Sequence, residues 1–211
     1  MFAVPFLGLA VALSPAMPQS PSIWDTYRMQ AERGRVRSQS VLGLRQDDLR
    51  WLRAAARQGD TDCQLRAAEI LRGRHEHQEA LYWYRRASKR SIQAVYALGS
   101  MYEAGEGAPQ SYAAAARYYR RAAYSGSAEA QTRLGNLYMI GAGVALDYGE
   151  ARRWYLRAAS QGYGDALLDL AGLFYQGLGV PRDIATARGW ALAAKRARAR
   201  DADSVLALLG E

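Results

Sequence analysis

The chain is poor in the residues that usually carry chemistry. One cysteine, Cys63, stands among 211 residues, so no internal disulfide can hold the fold. Only two histidines are present, His75 and His77, which makes a histidine-based catalytic triad improbable. They flank Glu76 in "GRHEHQEA", but metal-binding histidines on a helix sit at i and i+4, as in HExxH, and no third ligand stands nearby. That stretch therefore reads as a solvated loop between helices. Proline is scarce, six in all with three before residue 20. Long runs of Val, Ile and Thr are missing, which argues against a sheet-based core. Alanine, leucine and arginine dominate instead, and all three favour helix.

The first 23 residues carry no charged side chain. Phe2 to Leu13 is a short apolar run, followed by Ser14-Pro15-Ala16 and a Pro/Ser-rich stretch. This reads as a secretory signal peptide over residues 1–16, with periplasmic or secreted localisation, although its n-region lacks Lys or Arg. The run falls short of the roughly 20 apolar residues that span a bilayer, so no transmembrane segment is expected. The alternative is a cytoplasmic protein that keeps these residues as a hydrophobic arm.

What the chain has in abundance is apolar and basic residues. It is 50% hydrophobic, enough to bury a core, and carries a formal net charge of +8. Basic charge favours acidic partners, by steering. Nucleic acid is disfavoured, because the aromatic residues it would stack on belong to a repeated packing pattern.

That pattern has a period of 36. Trp154 and Trp190 lie 36 apart, and Tyr118 lies 36 before Trp154. Three contiguous units follow: 91–126, 127–162 and 163–198. Place four is Ala94, Ala130 and Ala166; place eight is Leu98, Leu134 and Leu170; place nine is Gly99, Gly135 and Ala171. Glycines recur at places fifteen and seventeen, and alanine at place twenty-five. A shorter unit, 60–90, puts Cys63 at place four, which makes it a small packing residue rather than a nucleophile or ligand. Residues 47–59 supply only a second half.

Each unit reads as helix, glycine loop, helix, turn. Ala130, Leu134, Leu137 and Tyr138 have helical spacing. "GAGVAL" breaks the helix, Asp147 and Glu150 form a capping-box pattern, and Gly162 marks the end of the second helix. Such pairs bury their apolar faces only by stacking, so a catalytic role for the recurring Trp and Tyr residues is improbable.

The pattern "AxxxLGxxYxxGxGVxxDYxxARxWYxxAAxxG", clearest in 127–162, resembles the Sel-1-like repeat (SLR), a relative of the tetratricopeptide repeat (TPR). The resemblance covers about 47–198. It implies an all-α fold, a right-handed α-solenoid of about four SLR/TPR-like helix pairs, and a non-enzymatic adaptor that binds a protein or peptide in a concave groove. The groove would be lined by the first helices, whose places three, six, ten and thirteen share one face. These are Gln93, Tyr96, Ser100 and Glu103; Glu129, Thr132, Asn136 and Met139; and Asp165, Leu168, Gly172 and Tyr175. They differ between units, as a binding surface inside a fixed frame would. No catalytic residue, metal or cofactor is expected. The rival from another class is a cell-envelope hydrolase or lactamase-like enzyme on the same repeats. Residues 17–46 read as an N-terminal arm, with a helix near Trp24–Arg33 and "RGRVRSQS" as linker. Residues 199–211 read as a C-terminal cap, with a short helix at 203–209.

Overall fold

A computed structural model of the chain describes residues 22–210. The signal-peptide expectation for residues 1–16 lies outside the described residues. Among them every regular element is a helix. They run α1 (Ile23–Glu32), α2 (Val36–Gln46), α3 (Leu49–Arg57), α4 (Thr61–Gly73), α5 (His77–Ala87) and α6 (Ile92–Ala104). Then come α7 (Tyr112–Tyr124), α8 (Ala128–Ile140), α9 (Tyr148–Ala159), α10 (Gly164–Gln176), α11 (Ile184–Arg196) and α12 (Ala202–Leu208). Each helix packs on its neighbours in sequence, forming an α-solenoid.

The helix starts follow side-chain capping, since the first N–H groups of a helix have no partner within it. Ser91 and Ser127 accept from the amides of Ala94 and Ala130, each at 3.2 Å. Asp147 accepts from the Glu150 amide at 2.9 Å. The expected capping box is only half made, because the Glu150 side chain turns to Arg153 instead of reaching back. The first helices of the full units end at Gly105, Gly141 and Gly177, all left-handed, with amides bonded to Met101, Leu137 and Leu173 carbonyls. The last unit closes without glycine: Arg198 takes φ 59 where Gly126 and Gly162 stand in earlier units.

The recurring small and leucine positions form the core. Ala94, Ala130, Ala166, Leu98, Leu134 and Leu170 are fully buried, and so is Cys63. Burial pushes the Cys63 thiol up to about 12, as expected of an inert packing residue. Trp83 and Trp154 are buried, while Trp190 is half-buried.

Place nine shows why those residues must be small. A Cβ added to Gly99 would stand 2.6 Å from the Tyr119 ring, and one added to Gly135 would stand 2.6 Å from the Tyr155 ring. Both tyrosines lie at place twenty-nine, on the second helix of the same unit. The third full unit has alanine at both places, Ala171 and Ala191. The small residue admits a ring rather than a bare helix backbone.

The second loop glycines serve a purpose beyond breaking a helix. Gly107, at φ 73, lies against the backbone of His77, where an added Cβ would meet the His77 carbonyl oxygen at 2.5 Å. Gly143 lies in the same way against Tyr112, and Gly179 against Tyr148, where a Cβ would meet the Tyr148 Cβ at 2.6 Å. His77, Tyr112 and Tyr148 each open the second helix of the preceding unit. Each loop therefore joins two units, and a side chain at its second glycine would part them.

The N-terminal region differs from the expectation of an arm and linker. "RVRSQS" lies largely within α2, and α2 pairs with α3. This completes the unit that 47–59 seemed to leave half-made, bringing the solenoid to five pairs. Within α2, Ser38, Leu42 and Gly43 hold places four, eight and nine of a unit starting at Arg35. A Cβ added to Gly43 would stand 2.8 Å from the Leu52 amide nitrogen of α3, so the small residue again permits close pairing. α1 covers this unit, with Ala31, Leu42 and Trp51 forming a small apolar cluster and the Arg45 guanidinium over the Trp24 ring. At the other end α12 seals the stack with Leu206 and Leu209 against Ala171, Ala187 and Ala191.

The histidine segment also departs from a simple loop. His75 makes the turn at φ 62, while His77 is the first residue of α5 and its Nδ1 is buried without a hydrogen-bond partner. No group of three His, Cys, Asp or Glu side chains is placed to hold a metal ion among the described residues.

Candidate binding groove

The first helices α6, α8 and α10 stand side by side and, with the cap α12, bound a cavity of about 430 Å³. Its walls are Tyr96 from α6, Glu129, Thr132, Arg133 and Asn136 from α8, Tyr163, Asp165, Leu168 and Asp169 at α10, and Asp201 and Val205 at α12. Three consecutive units meet there, as a groove along stacked first helices requires. The structure thus brings together six of the predicted face residues: Tyr96, Glu129, Thr132, Asn136, Asp165 and Leu168. Gln93 lines an adjoining hollow with Tyr96 and Glu129. Ser100, Glu103, Met139, Gly172 and Tyr175 lie outside the cavity walls.

Several of these residues are engaged by the fold. Thr132 is buried, and its hydroxyl donates to the Ala128 carbonyl at 2.9 Å. The Tyr119 hydroxyl donates to Glu103 at 2.5 Å and the Tyr155 hydroxyl to Asn136 at 2.6 Å. The tyrosines that pass over Gly99 and Gly135 therefore end on the groove and orient its side chains. Their burial raises both phenol pKa values, so the hydroxyls stay protonated donors. Arg72 donates to Ser100 at 2.9 Å and to Glu106 at 2.6 Å, and Gln93 donates to Glu69 at 2.9 Å. Glu129 and Asp165 remain exposed.

Sequence reasoning missed place seven, which holds Arg133 and Asp169. It lies four residues after place three, so a stripe at three, seven and ten would have found it. Burial pushes the Asp169 carboxyl up to about 7; neighbouring Asp165 adds to the rise, and Arg133 opposes it. Asp201 and Val205 come from the cap, where no repeat pattern pointed.

The charges are sorted by face. The five second helices α3, α5, α7, α9 and α11 carry fourteen Arg or Lys residues and two carboxylates, Glu79 and Glu150. The first helices α4, α6, α8 and α10 carry six carboxylates and three arginines, Arg66, Arg72 and Arg133, while α2, the first helix of the first pair, adds Arg37 and Arg45 and no carboxylate. The molecule's positive charge thus belongs to its outer helices.

A family model described as "Sel1 repeat" matches residues 49–60, 63–91, 92–127, 128–163 and 164–197. No curated protein matches the chain. Among solved structures, a protective antigen present in uropathogenic Escherichia coli strains and displaying an SLR fold is similar, with a TM-score of 0.76 at 30% identity. The match covers 88% of this chain and 43% of the antigen, so the chain spans less than half that protein's length. A Sel1 repeat protein from Oxalobacter formigenes is similar with a TM-score of 0.66 at 28% identity, over 81% of this chain and 75% of that one. In the described residues no helix is long and apolar enough to cross a membrane.

Proposed function

The chain belongs to the Sel1 repeat family, and from that premise we propose that it is a non-enzymatic scaffold that holds a segment of a partner protein in the groove of its first helices. Sel1 repeats commonly serve as protein-interaction scaffolds. The observation that carries the reading for this chain is the cavity shared by α6, α8, α10 and α12, whose lining residues vary from unit to unit while the packing residues behind them recur. A preformed groove of this kind binds without the cost of ordering a loop. We place the protein's work in the envelope or periplasm on the strength of the apolar run before residue 16 and the Ser-Pro-Ala that follows it.

A photoreactive residue at Leu168, in the groove, tests the binding face against one at Leu156, an exposed residue of α9. Crosslinks to the same partner from Leu168 and not from Leu156, in the native host, are expected. Crosslinks from Leu156 alone would overturn the groove reading. Mass spectrometry after osmotic-shock fractionation tests the export half: periplasmic protein lacking about the first 16 residues is expected, and intact cytosolic protein would refute it.

A further inference from the structure

The net charge of +8 suggests an acidic partner. The groove itself has the opposite sign. Two of the three arginines on α4, α6, α8 and α10 are already matched: Arg66 pairs with Asp47 at 2.6 Å and with Glu69 at 3.2 Å, and Arg72 with Glu106 at 2.6 Å. Toward the C-terminal end the balance fails. Glu129, Asp165, Asp169 and Asp201 all line the cavity, and among the described residues Arg133 is its one cationic wall residue. Among the described residues Asp169 forms no salt bridge; burial is the main cause that raises its proton affinity, the repulsion of Asp165 adds to it, and the attraction of Arg133 opposes it. A buried carboxyl with a second carboxylate beside it is raised in this way. Two tyrosines, Tyr96 and Tyr163, complete the walls, and aromatic faces attract cations, guanidinium above all.

We infer that the groove docks a basic, extended segment of its partner, and that the cavity between α8, α10 and α12 seats an arginine side chain of that segment. The inference rests on the groove being the binding face and adds the chemistry of what it holds. Charge complementarity decides the occupant. An acidic segment would meet three or four like charges at the cavity, and like charges brought together in a desolvated interface repel strongly. A basic one would supply the missing counter-charge and find a planar group's partners in both carboxylates and rings. The outer helices, with the opposite balance, would repel the same segment, so the sorted charges also select the face.

The test uses the full chain and two labelled peptides, hexa-arginine and hexa-glutamate, followed by fluorescence anisotropy at pH 8 and low salt. Hexa-arginine binding to a protein of net charge +8 runs against the overall field and reports the groove alone. The expected result is binding that weakens about tenfold or more in Asp165→Asn with Asp169→Asn, with hexa-glutamate binding unchanged. A second variant, Leu168→Arg, puts a cation into the cavity from within and should also abolish hexa-arginine binding. Thermal melts confirm that each variant remains folded. Absence of hexa-arginine binding, or binding indifferent to all three substitutions, overturns the inference. The two readings fail separately: a Leu168 crosslink to a partner through an acidic or uncharged segment would keep the groove and discard the basic occupant, whereas crosslinks from Leu156 alone would discard the groove.

Discussion

Gly135 and Tyr155 invite a double-mutant cycle, because the structure says what each does to the other. A Cβ at residue 135 would stand 2.6 Å from Tyr155 Cε1 and 2.8 Å from its Cδ1, inside any tolerated carbon–carbon contact. Tyr155 is 2% exposed and cannot swing aside without giving up its bond to Asn136. Gly135→Ala should therefore destabilise the protein by about 1–3 kcal/mol, the usual range for overpacking a filled core. Tyr155→Ala should cost about 3–5 kcal/mol, as removal of a large buried ring does. With the ring gone, alanine at 135 has room, partly fills the space and restores helix propensity worth about 1 kcal/mol. Gly135→Ala should then be stabilising in the Tyr155→Ala background, giving a coupling of about 2–4 kcal/mol. The double variant re-creates the Ala171 and Ala191 pairing already present in the third full unit. Urea denaturation of the four proteins, followed by circular dichroism, measures the cycle. Effects that add to within about 0.5 kcal/mol would refute the ring-over-glycine account.

Gly143→Ala should destabilise by more than about 1 kcal/mol, because it combines a left-handed backbone with a collision against Tyr112; an unchanged urea midpoint would contradict the joint between units. Asp169→Asn should raise the melting temperature more at pH 8 than at pH 5. The folded carboxyl keeps its proton up to about 7 against an ordinary value of 3.8, so its ionisation costs folding about 1.4 kcal/mol for each pH unit in between, and that cost is complete above 7. Equal gains at both pH values would show that Asp169 is not held protonated by burial. Cys63 should react with a thiol reagent at pH 8 only as fast as the protein unfolds, since it is fully buried with its thiol pushed up to about 12; rapid labelling of the native protein would refute that.

The repeats from residue 60 onward were plain in the sequence because identical packing problems recur every 36 residues and receive similar answers. Cys63 at an alanine place and the cap near 203–209 followed from the same logic. The first pair was harder to see. "SQSVLG" has the spacing of the later "AxxxLG", but α2 and α3 are separated by only two residues, Asp47 and Asp48, so the glycine loop that marks other units is missing. Half of the groove was legible as one helical stripe. Arg133 and Asp169 escaped because place seven varies between alanine, arginine and aspartate, and a pattern built from agreement overlooks it. The buried glutamines escaped as well. Gln39, Gln64 and Gln131 each reach back eight residues to a carbonyl, of Ala31, Ala56 and Ala123, at 2.9–3.0 Å. They add a second donor to carbonyls in the last turn of the preceding helix, which already accept the amides of Gly34, Gly59 and Gly126, and composition alone does not reveal that role.

The glycine that rests on the start of the previous unit's second helix shifts where the protein can be cut. A fragment ending at Gly126 would contain every residue of three successive sequence repeats, yet the N-terminus of α7 would lose the Gly143 loop that lies against it. Extending the fragment through residue 147 would keep that contact. The interchangeable brick of this solenoid is thus offset by half a period from the phrase that repeats in its sequence. Any shortened, lengthened or recombined version should be spliced after the loop and not at the turn between units.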